Sequence, residues 1–282
     1  MRIAILITLA IIGSVSFKSF GEFDYDEKIL TMERYEERYN VIDTTSLQII
    51  YAHIMYDKVL EYKDIRHDIL SIGKNNSIYD DLGGYRADSV FNSRAGEKFS
   101  PNYLKKLYTA LDCRHEKSVK NFRDSTYYHV DIMTGQSYCY TEPLPVFQWK
   151  LEPDTTTVLG HICHKATTSW RGRDWTAWYS DIPHNDGPAK FSGLPGLILK
   201  MTDASGDHEY RALGIKKDVH PIGTYRDSDP IRMKRERFNA LYEDHKVNFG
   251  KMFSTSGLVD MTPEKKAEME SRRLFFCPLE LE

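Results

Sequence analysis

The densest grouping of side chains able to do chemistry in this sequence is His161-Ile162-Cys163-His164, with His184 and Asp186 a short way downstream. Imidazole, thiolate and carboxylate are donors that zinc and copper accept. The spacing argues against such a site. On an extended strand His161 and Cys163 share a face while His164 points away, and the run matches no closed metal-binding pattern. No metal is assigned, and both histidines are expected to be ordinary strand residues. Asp64, His67 and Asp68 form a second grouping with acid–base character. In a chain with 41 acidic residues, however, such neighbours are commonplace. The sequence has no Gly-x-Ser-x-Gly elbow, His-Glu-x-x-His helix or Walker-type loop, the short motifs that announce common chemistries. A catalytic dyad would have to be assembled from distant positions. No catalytic residue and no cofactor is therefore assigned.

The most informative segment carries little chemistry of its own. Gly193-Leu194-Pro195-Gly196-Leu197-Ile198 reads as a tight turn that leaves as an apolar strand. Upstream lie Trp175, Trp178 and Tyr179, then Asp181-Ile182-Pro183, then Gly187-Pro188. This arrangement, spread over Thr155 to Asp203, resembles the signature of the GLPGLI family, secreted and uncharacterised bacterial envelope proteins. The resemblance implies a periplasmic or surface protein that acts beside outer-membrane transporters. The order of strands, turn, tryptophan strand and loop is also similar to carriers of the lipoprotein-sorting type, in which a half-open barrel shelters an apolar ligand.

Prolines cannot donate ladder hydrogen bonds, and glycines allow positive φ or close backbone approach. The segment from Asp181 to Gly196 is thus expected to be an ordered loop between two strands, with Phe191 and Leu194 packed inward and Gly196 at positive φ. Its plain role is a rigid strand connection. Its functional role would be the lip of a ligand or partner site formed by Trp178, Tyr179, Pro183, Gly187, Pro188, Phe191, Gly193, Leu194, Pro195 and Gly196. It is not a phosphate loop, since it lacks the Gly-Lys-Ser/Thr ending and precedes no helix. Trp175 and Trp178 are separated by an odd interval, so strand alternation sends them to opposite faces. One belongs in the core, and Trp178 would line a cavity if its face is concave.

The N-terminus sets the expected compartment. Met1-Arg2, an apolar run from Ile3 to Val15 and small residues at Ser19 and Gly21 have the layout of a signal peptide over residues 1–21. The run is shorter than the roughly 20 residues needed to span a bilayer. Loss of Arg2 and Lys18 with the leader would make a chain of net charge −3 more acidic by two charges. An acidic chain without a basic cluster argues against nucleic acid as a partner. Residues 22–282 are expected to form a single envelope domain, soluble, exported, and without a transmembrane span. Eighteen Tyr, thirteen Phe and four Trp supply ample core. The four cysteines, Cys113, Cys139, Cys163 and Cys277, allow three pairings. An oxidising compartment favours disulfides, and Cys139 with Cys163 is the expected pair because both fall in neighbouring strand-like segments.

These features must be positioned by a mostly antiparallel framework. Glu22 to Asn40 reads as an exposed lead-in. Ser46 to Asp57 alternates with apolar residues on both faces, so this strand is expected to be covered on both sides. His67 to Ile72 gives a second strand, and Gly73 to Ser77 a turn. Pro101 to Leu111 has helical spacing behind an N-cap at Ser100. Tyr127 to Met133 and Gln136 to Thr141 read as a hairpin about Thr134-Gly135. Further strands are expected over Val146–Leu151, Val158–Ser169, Asp174–Ser180, Leu197–Met201 and His208–Ile215. Asp229 and Pro230 then suit the N-cap and N1 positions of a helix carrying Phe238, Leu241, Tyr242, His245, Phe249 and Met252. The expected class is α+β, a curved antiparallel sheet or half-barrel with packed helices. The function expected of it is binding or carrying an apolar or peptide-like ligand without catalysis. The alternatives are docking to an outer-membrane transport machine, and an envelope hydrolase or metalloprotein.

Overall fold

The computed structural model describes residues 30–31, 39–133, 136–225, 229–255 and 262–282. The leader, most of the lead-in and the Thr134-Gly135 turn lie outside the described residues. In chain order the strands begin with β1 (Leu30–Thr31), β2 (Tyr39–Thr44), β3 (Leu47–Asp57), β4 (Tyr62–Ile72) and β5 (Asn76–Asp81). Helix α1 (Leu82–Ser93), β6 (Lys98–Phe99) and α2 (Pro101–Leu111) follow. Next come β7 (Lys117–Asn121), β8 (Thr126–Met133), β9 (Gln136–Pro143), β10 (Lys150–Val158), β11 (His161–Trp170) and β12 (Arg173–Ser180). The chain ends through β13 (Ile198–Asp203), β14 (His208–Lys216), β15 (Pro221–Tyr225), β16 (Ile231–Arg232), and helices α3 (Arg235–Val247), α4 (Phe249–Thr255) and α5 (Pro263–Glu270).

Twelve strands form one sheet in the order β10-β11-β12-β13-β14-β3-β4-β5-β7-β8-β9-β16. Every pairing in it is antiparallel except β16 with β9. Its centre is β3 with β4, paired without a register break from Leu47 opposite Ile72 to Asp57 opposite Tyr62. The sheet curls. Glu142, on β9 near one end of that order, is bound to Arg171 from the turn between β11 and β12 near the other. The class is α+β with a curved sheet.

Local chemistry explains most of the boundaries. The Ser100 hydroxyl accepts from the Tyr103 amide at 3.2 Å and Pro101 opens α2, the expected start. The Asp81 carboxylate caps α1 by accepting from the Gly84 amide at 2.6 Å. The start expected at Asp229 for the last long helix is corrected: α3 begins at Arg235 with Lys234 at its N-cap. Ile231 and Arg232 instead pair with Tyr138 and Cys139 of β9, which keeps the backbone after Pro230 extended. The apolar stripe is split as well, because α3 stops at Asn248 and α4 restarts at Phe249.

The main core lies where β3 and β11 to β14 meet the loop after β12, and it includes Trp175, Phe191, Leu194, Leu197, Ile198, Ile49 and Tyr51. A second cluster packs α3 through Phe238 onto Tyr127, Met133 and Tyr140 of the β8–β9 hairpin. A third sits under α1 and α2. The expected disulfide is not formed: Cys139 and Cys163 are both free and buried. Their separation in sequence is short, but Cys139 lies beside Val130 and Arg232 while Cys163 lies between Thr156 and Ser180. Eight strands of the sheet stand between β9 and β11. Among the described residues no helix is long and apolar enough to cross a membrane.

Candidate functional site

The loop after β12 is held by a residue that its own sequence does not contain. Lys120 of β7 sends its ammonium into the loop, 2.5 Å from Asp186 Oδ1, 2.7 Å from the Gly187 carbonyl and 2.9 Å from the Phe191 carbonyl. Three acceptors satisfy all three donors of the ammonium. The loop closes on itself as well, with the Gly193 amide donating to the Asn185 carbonyl and the Ile198 amide to the Asp186 carbonyl, each at 3.0 Å. Trp149 Nε1 adds a bond to the Ser192 carbonyl at 2.9 Å. The two motif glycines serve different ends. Gly193 has φ of +89°, whereas Gly196 is not in the left-handed region, which corrects the expected positive φ there. At Gly196 the constraint is space, since a Cβ would fall on the Ser180 carbonyl oxygen.

The concave face of the sheet, α3 and the C-terminal segment from Phe275 to Leu281 enclose a cavity of about 370 Å³. Cross-strand register assembles its floor. Tyr210 stands opposite His53, and His53 opposite Arg66. Tyr79, Ser118, His129 and Tyr140 follow as successive partners across β5, β7, β8 and β9. Asp68 and Asp81 are partners in the next row, and the Asp81 amide bonds to the Glu116 carbonyl. Asp131 continues this acidic row on β8, one residue beyond Val130, the partner of Lys117. A shallower hollow of about 390 Å³ between β5, β7, β8 and β15 has only Arg123 and Asp124 as charged lining residues.

Burial and like charge set the electrostatics. Desolvation pushes Asp68 up to about 7, and Glu116 and Asp81 push in the same direction against Arg66 and the Tyr79 hydroxyl, which donates to Asp68 at 2.7 Å. Desolvation and Glu116 likewise push Asp131 up to about 7. Burial holds His208 and His129 down to about 4 and lowers His53, so these imidazoles are neutral near pH 7. At the rim, Glu280 is bound by Lys190, Arg171 and Arg235 together; desolvation would raise it, but the charge and hydrogen bonds of Lys190 and Arg171 outweigh that and keep it below its usual value. These contacts, with the Arg273–Asp57 pair at 2.7 Å, lay the C-terminal segment across the mouth of the cavity.

The residues expected to form a loop-lip site are brought together, but not around this cavity. Phe191 and Leu194 pack into the main core at 0% and 1% exposure, and Trp178, Tyr179 and Ile182 flank it. Gly187, Pro188 and Gly196 are buried, while Pro183, Gly193 and Pro195 are exposed. Only Ala189 and Lys190 of that loop reach the cavity wall. Trp175 is 1% exposed and Trp178 is partly buried beside Lys165 and Lys200. The histidine grouping is dispersed: His161 sits 3.8 Å from Asp181, His164 lies beside Tyr179, and Asp186 is engaged by Lys120. Of the acid–base grouping, Asp68 lines the cavity while Asp64 is taken by Arg66 and Arg114. Sequence reasoning missed Lys120, Asp131, His53 and His208, and named Cys277 only as one of four cysteines open to pairing. An inward-facing lysine on an otherwise buried strand was the one local signal available for the first of these.

The fold and cavity thus describe an α+β protein with a pocket walled by aromatic rings and carboxylates. Residues 171–200 match the model of a family described as "Protein of unknown function (Porph_ging)", a stretch that runs from the β11–β12 turn to the start of β13. The match falls within the segment on which the GLPGLI resemblance rests. No curated protein matches the chain. Among solved structures, "Structure of PNGF-II in C2 space group" aligns at a TM-score of 0.47 with 13% identity, covering 73% of this chain and 34% of that one. "Structure of PNGF-II in P21 space group" aligns at 0.47 with 14% identity and the same coverage. This chain therefore spans about a third of the length of those proteins.

Proposed function

We propose that this chain is an exported, non-enzymatic binding module of the periplasm or cell surface that holds a small amine-bearing, peptide-like ligand in the cavity. The observation that supports the reading is the pair Asp68 and Asp131. These residues are 7% and 6% exposed, line the cavity, and have no Lys or Arg within ion-pair distance among the described residues. A buried carboxyl without a cation is costly, and an incoming ammonium would relieve that cost. The rings of Tyr79 and Phe238 beside them suit the same ligand, since aromatic faces attract cations, whereas Tyr127 and Tyr140 already face Lys190 and Tyr242 faces Lys246. The two carboxyls, rather than the largely aromatic remainder of the wall, are what favour an amine-bearing peptide over a purely apolar ligand.

Both carboxyls would ionise on receiving a cation, so binding should release protons near pH 7 and tighten as pH rises through that value. Calorimetry with a short peptide, free or acetylated at its amine, tests this in two buffers of different ionisation heat. The free amine is expected to bind more tightly and to release protons, and Asp131→Asn to weaken it. Equal binding of both peptides would overturn the reading. Recovery of an N-terminus at Met1 from mature material would remove the exported part of it.

A second reading, docking to an outer-membrane transport machine, has one observation in its favour. Val59, Leu60, Tyr62 and Ile65 on and beside the β3–β4 turn are 73%, 40%, 56% and 51% exposed. Crosslinking from position 60 in cells distinguishes the two, because capture of an outer-membrane protein supports docking.

A further inference from the structure

The protons on two buried histidines of the cavity wall are fixed from one end. Arg173 Nη2 and His208 Nε2 both reach the Pro278 carbonyl oxygen, at 2.8 and 3.1 Å. A carbonyl oxygen only accepts, so the neutral His208 ring carries its proton on Nε2. Its Nδ1 is then an acceptor, and His53 Nε2, 3.1 Å away, donates to it. Burial keeps His53 from taking a second proton, and His208, Arg66 and Arg114 act in the same direction. His53 Nδ1 is left as a bare lone pair. Stacking holds the ring in this pose, with Tyr210 at 3.9 Å and His208 at 5.4 Å between centroids.

What His53 Nδ1 faces is another acceptor. Asp68 Oδ2 stands 3.8 Å away, beyond hydrogen-bond distance, so the two share no proton. Arg66, the cation opposite His53 in the sheet, is turned to Asp64 at 3.3 Å and to Glu116 at 3.2 Å. Two acceptors, on residues 9% and 7% exposed, thus confront each other in the cavity wall with no donor bridging them among the described residues. Burying acceptors in this way is costly unless something donates to both.

We propose that a primary ammonium sits in this gap, and that His53 selects a primary amine over a quaternary one. The proposal rests on the reading of the cavity as an amine site and adds the class of amine. A nitrogen about 2.9 Å from each acceptor would see them about 80° apart, so two tetrahedral N–H bonds could serve both with little bending. One N–H answers the Asp68 carboxylate, and the other answers the His53 lone pair. A quaternary nitrogen brings the same charge to Asp68 but no N–H, and it leaves His53 Nδ1 buried and unsatisfied.

The test titrates the full chain with butylamine and with butyltrimethylammonium, and follows the imidazole nitrogens of His53 by NMR. In the free protein His53 is expected to carry its proton on Nε2, and butylamine to move the Nδ1 resonance upfield as it accepts a hydrogen bond. Butylamine is expected to bind at least about tenfold more tightly than the quaternary amine, the worth of one hydrogen bond to a charged group. His53→Phe keeps a ring for Tyr210 to stack on, and it should bring the two amines within about twofold of each other. A proton on His53 Nδ1 in the free protein overturns the proposal whichever amine binds. A preference for butylamine with the Nδ1 resonance unmoved overturns it too, since selection is then by size. Equal binding of the two amines removes the selection by His53 and leaves the amine reading of the cavity standing, whereas binding of neither removes both. If His53→Phe does not fold, the wild-type titration and the Nδ1 resonance decide.

Discussion

Lys120 and Asp186 form an ion pair at 2.5 Å with side chains 1% and 2% exposed, joining β7 to the loop that carries the Gly-Leu-Pro-Gly turn. Breaking a buried pair on one side strands the other charge and costs about 3–5 kcal/mol. Lys120→Met should destabilise the fold by that order in urea unfolding. Asp186→Asn added to it should recover part of the loss, because no charge is then left buried. A Lys120→Met protein as stable as the parent would show that the loop does not need the pair.

The two glycines of the turn predict a contrast. Gly193→Ala meets open space, with Trp149 Nε1 the nearest atom at 3.9 Å, and its penalty is that of φ at +89°. A non-glycine residue in that region costs about 1–3 kcal/mol. Gly196→Ala must displace the Ser180 carbonyl, whose residue is in turn bonded to Leu197, so its loss should be the larger. Thermal melts that rank the two in the opposite order would count against the close approach.

Asp131 supplies a pH test of the cavity. Its folded carboxyl is pushed up to about 7, above the ordinary value of 3.8. A carboxyl raised in the fold contributes most at a pH below its unfolded value, and that contribution is lost as pH rises towards 7. Asp131→Asn removes the titration. It should therefore stabilise the protein at pH 8 by about 1 kcal/mol or more, a tenfold change in acidity being worth about 1.4 kcal/mol, with far less change at pH 4. Urea unfolding at the two pH values checks this, and an equal effect at both would mean that the carboxyl is not raised.

The acid at position 68 could be seen in the sequence, but its neighbours could not. Asp64, His67 and Asp68 stand together in the chain, yet His53, Asp131, His208 and Cys277 reach the same cavity from β3, β8, β14 and the C-terminal segment. Only sheet register brings them together, and register is a property of the whole chain. Elements with strong alternation, such as β3 and the β8–β9 hairpin, were legible to within a residue or two. Strand β10 was not, because Lys150 to Val158 is an exposed edge strand with Pro153 and no buried face to pattern it. The Asp229-Pro230 signature failed for the related reason that a helix cap and a strand entry can share the same local residues. Pairing with β9 decided between them.

Trp175 and Trp178 provide the sharpest test of where a ligand sits. Trp175 is 1% exposed, with Phe191 and His208 at 4.7 and 5.8 Å between ring centroids. Its replacement by Ala should cost about 3–5 kcal/mol through lost burial and a cavity. Its indole N–H has no hydrogen-bond partner among the described residues, so Trp175→Phe should cost much less. Trp178 is partly buried at the flank of the same core and opposite Lys165 and Lys200, so Trp178→Ala should cost less than Trp175→Ala. Neither side chain lines the cavity. Peptide capture by a folded Trp178→Ala protein should therefore match that of the parent. A fall in capture with stability preserved would move the binding site from the acidic cavity to the lip of the Gly-Leu-Pro-Gly loop.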